Sequence, residues 1–230
     1  YLETSKRQQS LTMVSSFYQA LENQLEDLVV LTASHISFQV RENISNRTYL
    51  NEQLSGIHNG MPKVSAMIVC DDVGNIIASS GNTIPVKNCQ LESNPVYITF
   101  INDHQKEVWL LRGRRIDEAK IDSAFLILGI RLDDSLLMDM CNTCDLYHSI
   151  VENEEVIVTS FGTALSPKTN LRALPSRFSD IEFEKSYSMG GHVYYVSYFP
   201  LKSSGLEVEV ALDITSIQQD QRQQELILTI

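Results

Sequence analysis

The chain has 230 residues, 43% of them hydrophobic, which is enough for one large or two small domains with cores of their own. Its 18 basic and 29 acidic residues give a net charge of −11. That balance excludes nucleic acid as a partner and disfavours an anionic membrane surface, because phosphate binding needs a basic face.

The amino-terminal third reads as one long helix from about Ser5 to the mid-forties, with no Gly or Pro before Gly56. Leu11, Val14, Tyr18, Leu21, Leu25, Leu28, Thr32 and His35 recur at spacings of three and four, a heptad-like stripe. Phe17, Val29, Leu31 and Phe38 widen it beyond a coiled-coil seam, so one face is expected to pack on a sheet. The helix then either forms a dimer stalk or lies against the rest of the chain. In the first case, replacing Leu21 and Leu25 with Glu abolishes the dimer; in the second it unfolds the monomer. His35, within the stripe, reads as a core or interface histidine. Two sequons, at Asn43 and Asn46, carry no functional weight. A short helix over 49–57 follows, closed by Gly60 and Pro62.

Next comes the first half of a loose internal repeat. Met67 to Gly81 reads MIVCDDVGNIIASSG, an apolar run, an acidic turn, a second apolar run and a Ser/Gly exit. Ser149 to Gly162, SIVENEEVIVTSFG, has the same plan, which is that of a β-hairpin. Each is followed by a strand pair, Glu107–Ile116 with Ser123–Leu132, and His192–Leu201 with Leu206–Ile214. The exits GIRLDDSLL and VALDITSI end alike, so duplication of a small sheet domain is expected. Asp71–Asp72 and Asp133–Asp134 sit at a turn and a helix start, where capping explains them without chemistry.

The strand EVWLLRGRRI is the candidate recognition surface. Alternation places Trp109, Leu111, Gly113 and Arg115 on one face and Leu110, Arg112 and Arg114 on the other. Three arginines beside the only tryptophan of an acidic chain are suited to a carboxylate or another small anion. The face of Trp109 and Arg115 is favoured, because Gly113 leaves a gap there. The alternative is a set of solvated charges paired with acidic neighbours. In the second copy, His192, Tyr194, Tyr195 and Tyr198 either line a pocket or fill a core.

Cys70 ends a strand and Cys89 lies in the loop after it, so that pair is the first disulfide candidate, and Cys141 with Cys144 the second. Four free, buried thiols are the alternative. CNTC follows a helical stretch and precedes a hairpin, the wrong context for a thioredoxin-like redox site. The cysteine spacing is not that of a zinc knuckle, and the five histidines are scattered. No phosphate loop, HExxH or G-x-S-x-G elbow occurs, so no catalytic residue, metal ligand or cofactor is assigned. After SIQQDQRQQE the chain turns apolar at Leu226, Ile227, Leu228 and Ile230. This is either a short docked helix or the first turn of a membrane span.

The order of a long helix and two sheet modules, repeated once and closed by an exit helix, resembles the periplasmic double-Cache (tandem PAS-like) sensor domains of bacterial receptors. Val64–Cys70, the turn Asp71–Asn75, Gly129–Asp133, Tyr195–Leu201 and Ala211–Asp213 carry the likeness. The resemblance implies an α+β fold: helices over 1–62, a membrane-distal module over 63–144, a membrane-proximal module over 145–215, and an exit helix over 216–230. It further implies an extracytoplasmic part of an inner-membrane receptor of the histidine kinase, chemoreceptor or diguanylate cyclase kind, flanked by membrane helices outside this chain. Such a domain binds a small molecule, here a carboxylate, and dimerises through its first helix. Two departures stand. The segment 82–94 is shorter than usual for a distal module. The family's amino-acid signature is out of order, with Trp109 and Arg112 reversed, so amino acids are not implied as ligands. The competing readings are a dimerisation or interaction module with no small ligand, and a redox enzyme using Cys141 and Cys144.

Overall fold

A computed structural model describes residues 2–43, 46–84, 91, 94–116, 124–140, 146–161, 186–202, 204–215 and 219. It has the expected α+β architecture, a long helix followed by two antiparallel five-stranded sheets. Helix α1 (Leu2–Asn43) runs without a Gly or Pro to interrupt it, about 63 Å at 1.5 Å per residue. Helix α2 (Arg47–His58) begins at Asn46, whose side chain accepts a hydrogen bond from the Tyr49 amide at 3.2 Å. The asparagine of the second sequon is thus an N-cap.

The chain forms two compact units, residues 18–132 and residues 1–17 with 133–230. The first holds β1 (Ala66–Cys70), β2 (Ile76–Gly81), β3 (Val96–Asn102), β4 (Gln105–Ile116) and β5 (Ala124–Leu132), in the order β2-β1-β5-β4-β3. The second holds α3 (Asp134–Met140), β6 (Leu146–Glu152), β7 (Glu155–Thr159), β8 (Ser186–Met189), β9 (His192–Pro200) and β10 (Glu207–Asp213), in the order β7-β6-β10-β9-β8. The two orders are the same when five is added to each strand number, which is the duplication expected from the hairpin plans. Even the irregularities correspond. Each opening hairpin slips register near the end of its first strand, between Val69 and Cys70 and between Ile150 and Val151. Matching these bulges pairs Ala66 with Tyr147, and their partners across the sheet are Gly129 and Ala211. The exits Gly129–Leu132 and Ala211–Ile214 are therefore equivalent.

Strands β3 and β8 were not expected. They lie at the sheet edges and return into β4 and β9 through two-residue turns with positive φ, at Asp103–His104 and Gly190–Gly191. The turn joining β4 to β5, CNTC, and nearly all of the exit helix lie outside the described residues.

Along α1, Tyr18, Leu21, Leu25, Val29, Thr32, Ala33, Ile36 and Val40 are all buried, and Glu22 and Glu26 of the same helix bond to Tyr97 and Arg112 of the first sheet. Leu25 and Val29 are fully buried. The heptad-like stripe is buried at Val14, Tyr18, Leu21, Leu25 and Thr32 but not throughout. Leu28 is half-buried, Leu31 is 66% exposed, and His35, expected in a core or interface, is exposed. The cause is the period. A straight helix repeats every 3.6 residues, so a strict heptad drifts by about 20° per repeat. Tyr97 on β3 marks the contact: its hydroxyl donates to Glu22 on α1 at 3.0 Å, and its ring lies 6.4 Å from that of Tyr18. The other face of the sheet is a second core of Ala66, Ile68, Cys70, Trp109, Leu111 and Ile127, covered by Ile84 and Leu91 from the segment after β2.

Both aspartate pairs have structural partners. Asp71 closes the β1–β2 turn by accepting from the amides of Val73 and Asn75 at 3.1 and 2.6 Å and from the Asn75 side chain at 2.7 Å. Those bonds, the Asn75 side chain first among them, hold its carboxyl below the usual range. Asp133 caps α3 through the Leu136 amide at 2.9 Å, and Asp134 accepts from the Thr159 amide at 2.8 Å, tying α3 to β7.

Candidate ligand-binding site

Strand β4 alternates as its sequence predicts. It is paired along its length, with β3 on one side and β5 on the other, which fixes which face each side chain takes. Trp109, Leu111 and Gly113 face Ile84 and Leu91, while Leu110 and Arg112 face α1. The four candidates therefore do not converge on one point. Arg112 and Arg114 belong to the helix side, Trp109 and Arg115 to the opposite one.

Arg112 is 6% exposed, and its guanidinium grips the Glu26 carboxylate of α1 with two nitrogens, Nε on Oε2 and Nη2 on Oε1, the latter at 2.9 Å. The remaining nitrogen, Nη1, donates to the Gly113 carbonyl at 2.9 Å. The fork–fork geometry is the strongest form of arginine–carboxylate contact. Its hydrogen bond is the main reason the Glu26 carboxyl lies below its ordinary value, with the charges of Arg112 and then Arg114 adding to it. A ligand would have to displace Glu26 to use Arg112.

Trp109 is fully buried. Its indole N–H donates to Glu107 Oε2 at 2.9 Å, and its ring stacks on Phe100 with centroids 5.9 Å apart. The gap expected at Gly113 is occupied. A Cβ there would stand 2.9 Å from Leu91 Cβ, so the glycine admits Leu91 rather than a ligand. Gly129 serves the same packing, since a Cβ would come within 3.1 Å of the Trp109 ring and 2.7 Å of Ile84. Sequence reasoning missed this role of the first residue in the GIRLD exit. Arg114 and Arg115 are exposed at the end of the strand.

Cys70 is fully buried and disulfide-bonded. The other three cysteines lie outside the described residues. The first candidate pair, Cys70 with Cys89, predicts an intact mass that rises by two hydrogens on reduction. A peptide map that joins Cys70 to Cys141 or Cys144 instead would overturn that pairing.

In the second unit, the tyrosines of β9 are mainly core, as one of the two readings had it. Tyr194 and Val196 pack with Tyr187 and Ala211, and Tyr147 and Phe161 close over them. Sequence reasoning missed the buried polar groups there. Glu209 is fully buried and accepts from the Tyr198 hydroxyl at 2.5 Å. Ser149 and Thr159, both buried, share a hydrogen bond of 2.8 Å. His148, on the opposite face of β6, is 1% exposed, and burial pushes its imidazole down to about 4, so it is neutral at pH 7. Among the described residues, no group of three or more His, Cys, Asp or Glu side chains is placed to hold a metal ion. No helix there is long and apolar enough to cross a membrane.

No protein-family profile matches the sequence, and no curated protein matches it. Solved structures do. The periplasmic domain of Vibrio cholerae LuxQ aligns over 89% of this chain and 98% of its own, with a TM-score of 0.67 and 13% identity. The sensor domain of the V. cholerae histidine kinase DctB aligns over 91% and 96%, with a TM-score of 0.56 and 14% identity. The ligand-binding domain of the Pseudomonas fluorescens chemoreceptor CtaA, in complex with L-alanine, aligns over 93% and 97%, with a TM-score of 0.55 and 13% identity. The chain thus has the double-Cache-like fold of the periplasmic sensor domains of histidine kinases and chemoreceptors. At these identities the likeness is one of fold.

Proposed function

We propose that the chain is the extracytoplasmic ligand-sensing domain of a transmembrane signalling receptor, with its membrane spans outside this sequence. The observation that carries the reading is the duplicated sheet on a single long helix, the architecture that the sensor domains share. Helix α1 contributes residues to both units, so a change in how one sheet holds it is available to the other. Such a device needs only a ligand with different affinity for two packings of the helix. A homodimer through α1 belongs to the same reading. It would use residues outside the buried stripe, where Leu31 is 66% and Met13 47% exposed.

In this reading the ligand is a small carboxylate held in the first module at the exposed end of β4, with Arg115 as its guanidinium on the face of Trp109. Arg112 serves the α1 contact instead. A charge-assisted bidentate contact is worth about 1.5–3 kcal/mol, so Arg115→Ala should weaken binding by about ten- to a hundredfold. Calorimetry of mono- and dicarboxylates against the wild type and Arg115→Ala tests this. A carboxylate that binds both equally, or binds the second module alone, overturns the site. The second reading, an interaction or dimerisation module with no small ligand, is favoured by one observation: Leu91 and Ile84 fill the space over Gly113 and Gly129. A carboxylate screen without a single binder would support that reading.

A further inference from the structure

The duplication sets two ion pairs at equivalent positions, one in each sheet. Gly129 corresponds to Ala211, so Arg131 corresponds to Asp213. Trp109 stands opposite Arg131 and Tyr194 opposite Asp213, so Glu107 corresponds to His192. In the first copy Glu107 pairs with Arg131, Oε1 to Nη1 at 3.7 Å. In the second, His192 pairs with Asp213, Nδ1 to Oδ2 at 2.7 Å. The pairing is kept while its chemistry is exchanged. Carboxylate and guanidinium are side-chain types that hold their charge near neutral pH, whereas imidazole changes its charge between about pH 5 and 8.

The second pair stands where β10 ends. Asp213 is the last residue of that strand, and Thr215 is already helical. Asp213 Oδ1 accepts from the Thr215 amide at 2.9 Å and from the Thr215 hydroxyl at 2.6 Å, which leaves Oδ2 for His192. Thr215 Oγ1 in turn accepts from the Val193 amide at 2.9 Å, and the Ile214 amide donates to the Val193 carbonyl at 2.8 Å. These bonds close a clamp between the start of β9 and the end of β10. His192 is its outer member, 53% exposed, while the Asp213 side chain is 13% exposed. The same strand receives α1: Arg7 donates from Nε to Ser197 Oγ at 2.7 Å and from Nη2 to the Val196 carbonyl at 3.3 Å. Strand β9 thus holds the chain on its way into the unit and on its way out.

Burial pushes the Asp213 carboxyl up, but the hydrogen bonds from Thr215 and then from His192 more than offset it, so it lies below the ordinary aspartate value. The carboxylate is charged near neutrality, and the partner is what varies. Among the described residues, the ionisable groups that His192 meets are Asp213 on β10 and Tyr194 on its own strand, with ring centroids 6.2 Å apart. Burial raises the Tyr194 hydroxyl to about 12, with the Asp213 charge adding to it, so that group stays neutral. On β8, His192 stands opposite Met189 and its carbonyl accepts from Ser188, and neither side chain titrates in this range. A neutral imidazole offers Asp213 an ordinary N–H donor. A protonated one offers a charge-assisted bond, roughly twice as strong.

We infer that His192 and Asp213 form a proton-dependent clamp on the chain where β10 gives way to helix, so that the second unit responds to pH. Protonation of His192 adds to the hold, which is present on the acid side of the imidazole titration and lost as pH rises through it. This goes beyond ligand sensing, and only its relay to a receptor's output rests on that reading.

The test is amide hydrogen exchange of the full chain, read residue by residue by NMR at about pH 5.5 and about pH 8 and corrected for intrinsic exchange rates. The Val193 and Ile214 amides report the clamp, because both bond across it. A pair this exposed is worth about a two- to fivefold change in an equilibrium, so their protection should be higher by that factor at the acid pH. The amides of Val208 and Val210, in the middle of β10, should not share the difference. His192→Gln, which keeps a donor and does not titrate, should abolish it. Asp213→Asn should abolish it too and lower protection at both pH values. If His192→Gln fails to fold, the contrast within the wild type between the clamp and the middle of β10 decides. Equal protection at the two pH values, a difference shared by Val208 and Val210, or one that persists in folded His192→Gln overturns the clamp. A chain that binds no carboxylate leaves this result untouched, and a clamp indifferent to pH leaves carboxylate binding untouched.

Discussion

Replacing both Leu21 and Leu25 with Glu should abolish the fold of the first unit rather than separate a dimer. Leu25 is fully buried and Leu21 3% exposed within the single chain. Truncating a buried leucine to alanine costs about 2–5 kcal/mol, and a buried, unpaired carboxylate costs more. Two of them exceed the stability of about 5–15 kcal/mol that a whole domain commands at the lower end of its range. Trp109, the only tryptophan and fully buried in that unit, reports the outcome directly. Its emission should shift to the red and its near-ultraviolet dichroism vanish in the double variant, and Leu25→Ala should lower the unfolding midpoint with the shape of the transition kept. A folded double variant with native tryptophan emission that merely sediments as a smaller species would place these leucines at an interface between copies.

What could be read from the sequence was set by short-range pattern. The opening hairpins, the two similar exits and the long uninterrupted helix are each specified by neighbours a few positions apart, and each is present. The edge strands are instructive. Strand β8 leads into Gly190–Gly191, a turn whose glycines state their positive φ in advance, and it was legible though unread. Strand β3 turns through Asp103 and His104, which take positive φ without being glycine, a weaker signal than a glycine pair. The site depended on contacts across long stretches of chain. Arginines 112, 114 and 115 read as one cluster because they are adjacent, but their roles divide by face, and Glu26 lies 86 positions from Arg112. Likewise Glu207 and Glu209 look equivalent in EVEV. Only the sheet order, with Ser149 on one side and Tyr198 on the other, makes the second of them the buried one.

Removing one partner of the Arg112–Glu26 pair should cost far more than removing both. Arg112 is 6% exposed and also donates to the Gly113 carbonyl, so Glu26→Ala removes the carboxylate from a guanidinium that stays buried. Breaking a buried pair in this way costs about 3–5 kcal/mol, but a third of the Glu26 side chain meets solvent, and screening there brings the expected loss nearer 2–3 kcal/mol. The double variant Glu26→Leu with Arg112→Met should recover most of that loss, because apolar side chains of similar volume avoid the desolvation that the ion pair must overcome. Urea unfolding of the three proteins, followed through Trp109, measures both quantities. The pH dependence supplies a second reading. Glu26 has its carboxyl depressed in the folded state, chiefly by the Arg112 hydrogen bond, so its contribution is complete above the unfolded value of about 4.3 and is lost as pH falls through the folded one. Stability should therefore decline on the acid side in the wild type, and less steeply in Glu26→Gln. A double variant as unstable as Glu26→Ala would mean that the pair is not what joins α1 to β4, and that the apolar stripe from Tyr18 to Val40 holds the helix on its own.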